Sequence, residues 1–201
     1  MTTEDSRQPR QRAPRKATPK YLENAALYYL SRYATSAENL RRVMMLKVMR
    51  SAQHHGTDPE DGAALIEAMI GRFLGSGLLD DWAYARTRAD SLHRRGNSAR
   101  VIRGKLKQKG VGDDVITAAL DARGEDTDDG EDPELTAAVT LAKRRRLGPF
   151  SQEARRAESP TGTKKELSDE TREKHLAALA RAGFSYDVAR RVIDGKDIGG
   201  I

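Results

Sequence analysis

The chain has 201 residues, 37% of them hydrophobic and 33% charged, with 36 Lys and Arg against 30 Asp and Glu for a formal net charge of +6. It has no cysteine, which excludes disulfides and thiolate metal sites and fits a reducing cytoplasm. No apolar run approaches the roughly 18–20 residues a bilayer requires, and no apolar segment follows the charges of MTTEDSRQPRQRAPRK as a secretory signal would need.

Residues 1–18 carry Arg7, Arg10, Arg12, Arg15 and Lys16 with Pro9 and Pro14, and they read as a disordered basic tail. Such an arm can hold nucleic acid, but composition alone favours a solvated tail. A first helix is expected after Pro19, with Leu22, Ala26, Tyr29, Leu30 and Tyr33 on one stripe. Ser36 reads as the cap of a second helix containing Leu40, Val43, Met44 and Val48. Asp58-Pro59 opens a third, with Ile66, Met69, Ile70, Phe73 and Leu74 on its apolar face. Asp80 or Asp81 caps a fourth, striped by Trp82, Ala85, Ala89 and Leu92. Ser98 caps a fifth with Ile102 and Leu106, and Asp113 or Asp114 opens a sixth with Val115, Ile116, Ala119 and Leu120. After the acidic run GEDTDDGEDPE, Asp132-Pro133 opens a seventh helix with Leu135, Ala138, Val139 and Ala142, ending in Lys143–Arg146. A long polar loop near 151–170 precedes an eighth helix (Leu176, Leu179) and a ninth (Val188, Val192, Ile193).

The same signals recur in order. SAENLRRVM from Ser36 lies over SARVIRGKL from Ser98, and GVGDDVITAAL from Gly110 lies over GFSYDVARRVI from Gly183. In each of the latter, glycine stops a helix, an apolar residue (Val111, Phe184) packs back, and a small or acidic residue opens the next helix. The expected fold is all-α. Three tandem three-helix repeats form an elongated, curved array, because three short helices bury too little area alone. The expected boundaries are a tail over 1–18, repeats over 19–80 and 81–123, an acidic linker over 124–134, a third repeat over 135–195, and a C-terminal tail over 196–201.

Three stretches, GLLDDWAYA from Gly77, SARVIRGKLKQKGV from Ser98 and ARAGFSYDVARRVI (Ala180–Ile193), resemble the RecX family, whose members also have three three-helix repeats. The resemblance spans about residues 19–195. It implies a cytoplasmic, non-enzymatic regulator of recombination, DNA repair and the SOS response. The implied partner is the RecA recombinase filament on single-stranded DNA, whose ATP hydrolysis and strand exchange such a protein lowers. No cofactor is implied, and a monomer is expected. The acidic linker and the loop near 151–170 are long for the family, and His175 stands where the repeat pattern expects an apolar residue.

Asp80 and Asp81 form a tempting carboxylate pair, but adjacent acids at a helix start are accounted for by capping. His54 and His55 are neighbours, not spaced at i, i+4 as a helical metal pair requires, and His93 and His175 stand alone. No metal site or catalytic set is read. The candidate partner- or phosphate-binding residues are Arg94, Arg95, Arg100, Arg103 and Lys107, with Lys143, Arg144, Arg145 and Arg146; Lys105 and Lys109 add to the same region. Such charge meets acidic protein surface, DNA phosphate or only water. Weak, sequence-tolerant DNA contact is one expectation, and a helix-turn-helix-like DNA-binding protein is the alternative to the filament regulator. Asp80, Asp81, Gly110, Gly183 and Phe184 are expected to serve the fold. Trp82 and Tyr29 are expected in the core, with Tyr28 and Tyr84 partly exposed.

Overall fold

The computed structural model describes residues 13–125, 132–156 and 167–196. Most of the expected tail, the centre of the acidic linker, much of the polar loop and residues 197–201 lie outside the described residues. All regular structure among those described is helical. No described helix is long and apolar enough to cross a membrane. The chain divides into two compact units, Met1–Asp80 and Asp81–Ile201.

The first unit holds α1 (Pro19–Leu30), α2 (Ala37–His55) and α3 (Pro59–Gly75). Each begins on a side-chain oxygen that accepts a first-turn amide: Thr18 from Tyr21, Ser36 from Asn39 and Asp58 from Glu60. Their apolar stripes meet in one core around Leu22, Ala26, Leu40, Met44, Val48, Ile66 and Ile70. A fully buried aliphatic side chain of this kind contributes about 1.5–3 kcal/mol.

The second unit contains two cores. Helices α4 (Asp81–His93), α5 (Ala99–Gln108) and α6 (Asp113–Glu125) enclose Ala85, Ala89, Leu92, Ile102, Leu106, Val111, Ile116 and Ala119. The other core is built from α7 (Pro133–Arg145), a 3₁₀ turn (Gly148–Phe150), α8 (Gln152–Arg156), α9 (Asp169–Arg181) and α10 (Tyr186–Ile193). It holds Leu135, Val139, Leu141, Leu179, Phe184, Val188 and Val192. The helical turns at 148–156 fall where the sequence reads as plain loop, so the described residues hold ten α-helices where nine were expected.

The repeated glycine stop is visible in the backbone. The Val111 amide returns to the Leu106 carbonyl at 3.2 Å, and the Phe184 amide to the Leu179 carbonyl at 3.3 Å. Gly110 and Gly183 supply the left-handed step, and Val111 and Phe184 are both buried. The α7 stop has the same bond, from the Leu147 amide to the Ala142 carbonyl at 2.9 Å, but its left-handed residue is Arg146, at φ 57°.

Three residues expected inside are largely exposed: Tyr33 (56%), Leu74 (45%) and Trp82 (42%). Helix α1 ends at Leu30, so Tyr33 leaves the stripe and rests its ring 5.1 Å from that of Tyr29. Leu74 is in the last turn of α3, where Phe73 takes the core side. Trp82 is in the first turn of α4, one turn before Ala85, the first residue of that helix to be buried, and Arg86 stacks on its ring at 5.4 Å. Tyr29 and Tyr84 are half-buried and Tyr28 is exposed. The polar His175 has a structural partner: its Nδ1 accepts the Gly148 amide at 3.1 Å.

Candidate basic binding face

The cations of the second unit are placed by how α7 meets the α4–α5 turn. Gly96 stands at φ +74°, and a Cβ on it would lie 2.7 Å from the Leu141 nitrogen and 3.0 Å from the Ala137 oxygen. Only glycine lets the two backbones approach so closely. Around this contact the modules exchange polar groups. The Glu134 carboxylate in the first turn of α7 accepts the Ala99 amide at 3.0 Å, closing the start of α5 from outside. His93 Nε2 donates to the Pro133 carbonyl at 2.6 Å. Ser98 Oγ donates to the Ala182 carbonyl at 2.7 Å, beside Gly183, whose φ is +90° and where a Cβ would stand 2.6 Å from that hydroxyl oxygen.

This packing joins two charge clusters far apart in sequence. Arg144 Nη1 donates to the Arg95 carbonyl at 2.7 Å, so the C-terminal ends of α4 and α7 lie together. Arg94, Arg95, Arg144, Arg145 and Arg146 are exposed there, as is Lys143, whose ammonium lies 5.7 Å from the centre of the Phe150 ring. Cations at helix C-termini also complement the negative end of the helix dipole, so part of this clustering serves the helices themselves. Arg100 is exposed in the first turn of α5 near Gly183.

Arg103 and Lys107 each meet an acceptor on α6. They do not project as free charges: Arg103 Nη1 donates to Thr117 Oγ1 at 3.1 Å, and Lys107 pairs with Asp113 at 2.8 Å. The Lys107 bond holds the Asp113 carboxyl below its usual range. Lys105 likewise donates to Asn97 Oδ1 at 2.9 Å. Sequence reasoning saw the i, i+4 cations on α5 and had no way to see the acceptors of α6 beside them.

Beneath the face, Arg123 pairs with Asp90 at 3.0 Å with only 11% of its side chain exposed. Burial lowers the Arg123 pKa and raises that of Glu134. Burial also lowers His93 and His175. Asp80 immediately precedes α4 and Asp81 is its first residue, the positions where acids favour the positive helix end.

The sequence profile of the RecX second three-helix domain matches residues 80–120, the span of α4 to α6 up to Leu120. A regulatory protein RecX from Myxococcus xanthus (strain DK1622) is 42% identical over 182 residues, covering 90% of this chain and 88% of the relative. The chain belongs to the RecX family. A second RecX, from Agrobacterium fabrum (strain C58 / ATCC 33970), is 34% identical over 174 residues, covering 86% of this chain and 82% of that protein. The crystal structure of RecX from Lactobacillus salivarius shares the fold with a TM-score of 0.61 at 22% identity, covering 90% of this chain and 97% of that one.

Proposed function

We propose that the chain is a non-enzymatic regulator that binds the RecA filament on single-stranded DNA in the cytoplasm and lowers its ATP hydrolysis and strand exchange. Its membership of the RecX family supports a regulatory role, since relatives aligned over most of their length are named regulatory proteins. The structural observation that carries the binding reading is the convergence of the Arg94–Arg95 and Lys143–Arg146 clusters on one face of the second unit, fixed by the Arg144–Arg95 bond. A fixed cationic face suits the acidic groups and phosphates of a protein–DNA filament better than a flexible tail does, because less side-chain and backbone freedom is lost on binding.

The test is ATP hydrolysis by RecA on single-stranded DNA, with and without the protein. The wild type is expected to lower the rate. The double variant Arg94→Glu/Arg145→Glu is expected to need at least tenfold more protein for the same effect, about 1.4 kcal/mol of lost binding. An unaltered rate with the wild type would sink the reading. A single duplex bound far more tightly than random DNA would point to the helix-turn-helix alternative.

A further inference from the structure

The first unit carries a basic groove unrelated to that face. Residues 13–18, read from sequence as part of a disordered tail, are laid across α2. The Ala17 amide donates to Ser51 Oγ at 2.9 Å, and the fully buried Ser51 shares a second 2.9 Å bond with Thr57 Oγ1. One turn further along α2, His55 Nε2 donates to the Pro14 carbonyl at 2.8 Å. These anchors hold the segment beside α1 and α2 and leave an open groove of about 1050 Å³. Arg15, Tyr21 and Lys47 are walls common to it and to an adjoining recess of about 730 Å³.

The walls are cationic: Arg15, Lys16, Lys20, Lys47 and Arg50 line the two recesses beside His54, and no Asp or Glu does. None of the five lysines and arginines pairs with a carboxylate among the described residues. Of the other described cations of the unit, Arg41 binds Glu38 and Glu67, Arg42 binds Glu38, and Arg72 takes Glu23, the one acid of α1, while Arg32 lies over the ring of Tyr28 at the groove. The charges are therefore segregated, with neutralised pairs on other surfaces and uncompensated cations concentrated in the groove. Like charges held together repel, and a bound polyanion relieves that repulsion. Two tyrosines lie among them. Tyr21 has Lys47 5.9 Å from its ring centre, and Tyr28 is 61% exposed with Arg32 at 4.7 Å. Cations that track phosphates, beside an accessible aromatic ring, are the two components of single-strand recognition. A duplex hides the base faces that such a ring would stack on.

We infer that this groove binds a single-stranded nucleic acid, its phosphates against Arg15, Lys16, Lys20, Lys47 and Arg50 and a base against Tyr28. The inference does not rest on the filament reading, and its test contains no recombinase. The full chain is titrated into a short fluorescent oligothymidylate and followed by anisotropy. An abasic phosphodiester oligomer of equal length and a polyglutamate peptide serve as competitors. Lys47→Glu/Arg50→Glu is expected to weaken oligothymidylate binding at least tenfold. It should also flatten the slope of log affinity against log salt by about 1.4, at roughly 0.7 per lost phosphate contact. Tyr28→Ala is expected to weaken oligothymidylate binding about tenfold and leave the abasic oligomer unchanged. Should the double variant melt abnormally, Lys20→Glu on α1 carries the same expectation with a smaller loss. Unchanged affinity in a normally folded charge variant would overturn the site. So would loss of binding in Arg94→Glu/Arg145→Glu but not in the groove variants. Abasic oligomer binding as tight as oligothymidylate would overturn the stacking assignment, and tighter polyglutamate binding would replace nucleic acid with an acidic protein segment.

Discussion

In the second unit Arg144 is tied to the Arg95 carbonyl, Lys107 to Asp113, Arg103 to Thr117, Lys105 to Asn97 and Arg123 to Asp90. In the first unit, Arg15, Lys16, Lys20, Lys47 and Arg50 line a groove and meet no described carboxylate. Both regions are equally basic as strings of letters. The difference shows that a lysine or arginine acquires its role from the acceptors the fold sets beside it. In the second unit several cations bind modules and helix ends together. In the first unit the groove cations meet no described carboxylate, so the fold leaves their mutual repulsion uncompensated. Exposed pairs such as Lys107–Asp113 add little stability, so their loss alone would not unfold the chain.

The sharpest break in this comparison is Gly96→Val. A side chain there collides with the α7 backbone and a β-branched residue cannot easily adopt φ +74°. The change is expected to cost about 3 kcal/mol or more, falling on the α4–α7 contact. Thermal melting followed by circular dichroism should show early loss of part of the helical signal. Inhibition of RecA should fall with it, while oligothymidylate binding by the first unit persists. Equal loss of both activities would mean that the two basic regions depend on one another.

A smaller effect separates free from engaged cations within the second unit. Arg94→Glu/Arg145→Glu is expected to lose inhibition with only a small drop in melting temperature, since acids then stand at the negative ends of α4 and α7. Arg103→Glu/Lys107→Glu keeps good helix formers on α5 but places a carboxylate against Asp113, so it should lower the melting temperature as well as the inhibition. If both pairs lower inhibition equally at constant stability, the α5–α6 contacts matter less than the structure indicates.

Much of this fold is legible in the sequence because helix boundaries are written in local chemistry. Ser36, Asp58, Ser98 and Asp132 cap where capping logic puts them, and Gly110 and Gly183 end helices as read. Errors arise where a periodic pattern outruns its helix. Tyr33 continues the stripe of α1 by arithmetic, but Ser31 has already capped the helix. Trp82 begins the stripe of α4 before the core does. The groove was illegible for a different reason. A proline-rich basic segment reads as solvated, and its anchors Ser51 and His55 lie more than 30 residues away with nothing local to mark them. The same holds for His175, whose partner is a backbone amide and carries no sequence signal.

Acidification should act on the second unit through its half-buried imidazoles. Burial holds His93 and His175 below the usual range, so the folded chain binds fewer protons than the unfolded one. Their contribution is complete above the ordinary imidazole pKa of about 6.5 and is lost as pH falls from there through the lower folded values. Glu134, raised by burial and partly offset by the Ala99 amide, acts in the opposite sense in the carboxylate range. The comparison is therefore made between about pH 7.5 and 5.5, above most carboxylate titration. The melting temperature is expected to drop across that window. His93→Gln/His175→Gln should flatten the drop, since a side-chain amide can still donate to the Pro133 carbonyl and accept from the Gly148 amide. An unchanged slope in that variant would remove both histidines from the account.

The smallest effect discriminates most finely between folding and binding. At the helix ends bearing Gly96, Gly110, Gly183 and Gly195, glycine takes the left-handed position; after α7 the position is held by Arg146 at φ 57°. An L side chain there costs roughly 1–2 kcal/mol, and glycine would recover part of this after its own larger loss of chain entropy. Arg146→Gly is therefore expected to stabilise the protein by about 0.5 kcal/mol, a rise of roughly 2 °C in melting temperature. The substitution also deletes one exposed cation from the edge of the proposed face. If Arg146 contacts the filament, the more stable variant will inhibit RecA less well, a combination that a damaged fold cannot produce. If stability rises and inhibition is untouched, Arg146 lies outside the contact and the face ends at Arg145. If stability falls, the guanidinium holds something that its position at the helix end does not account for.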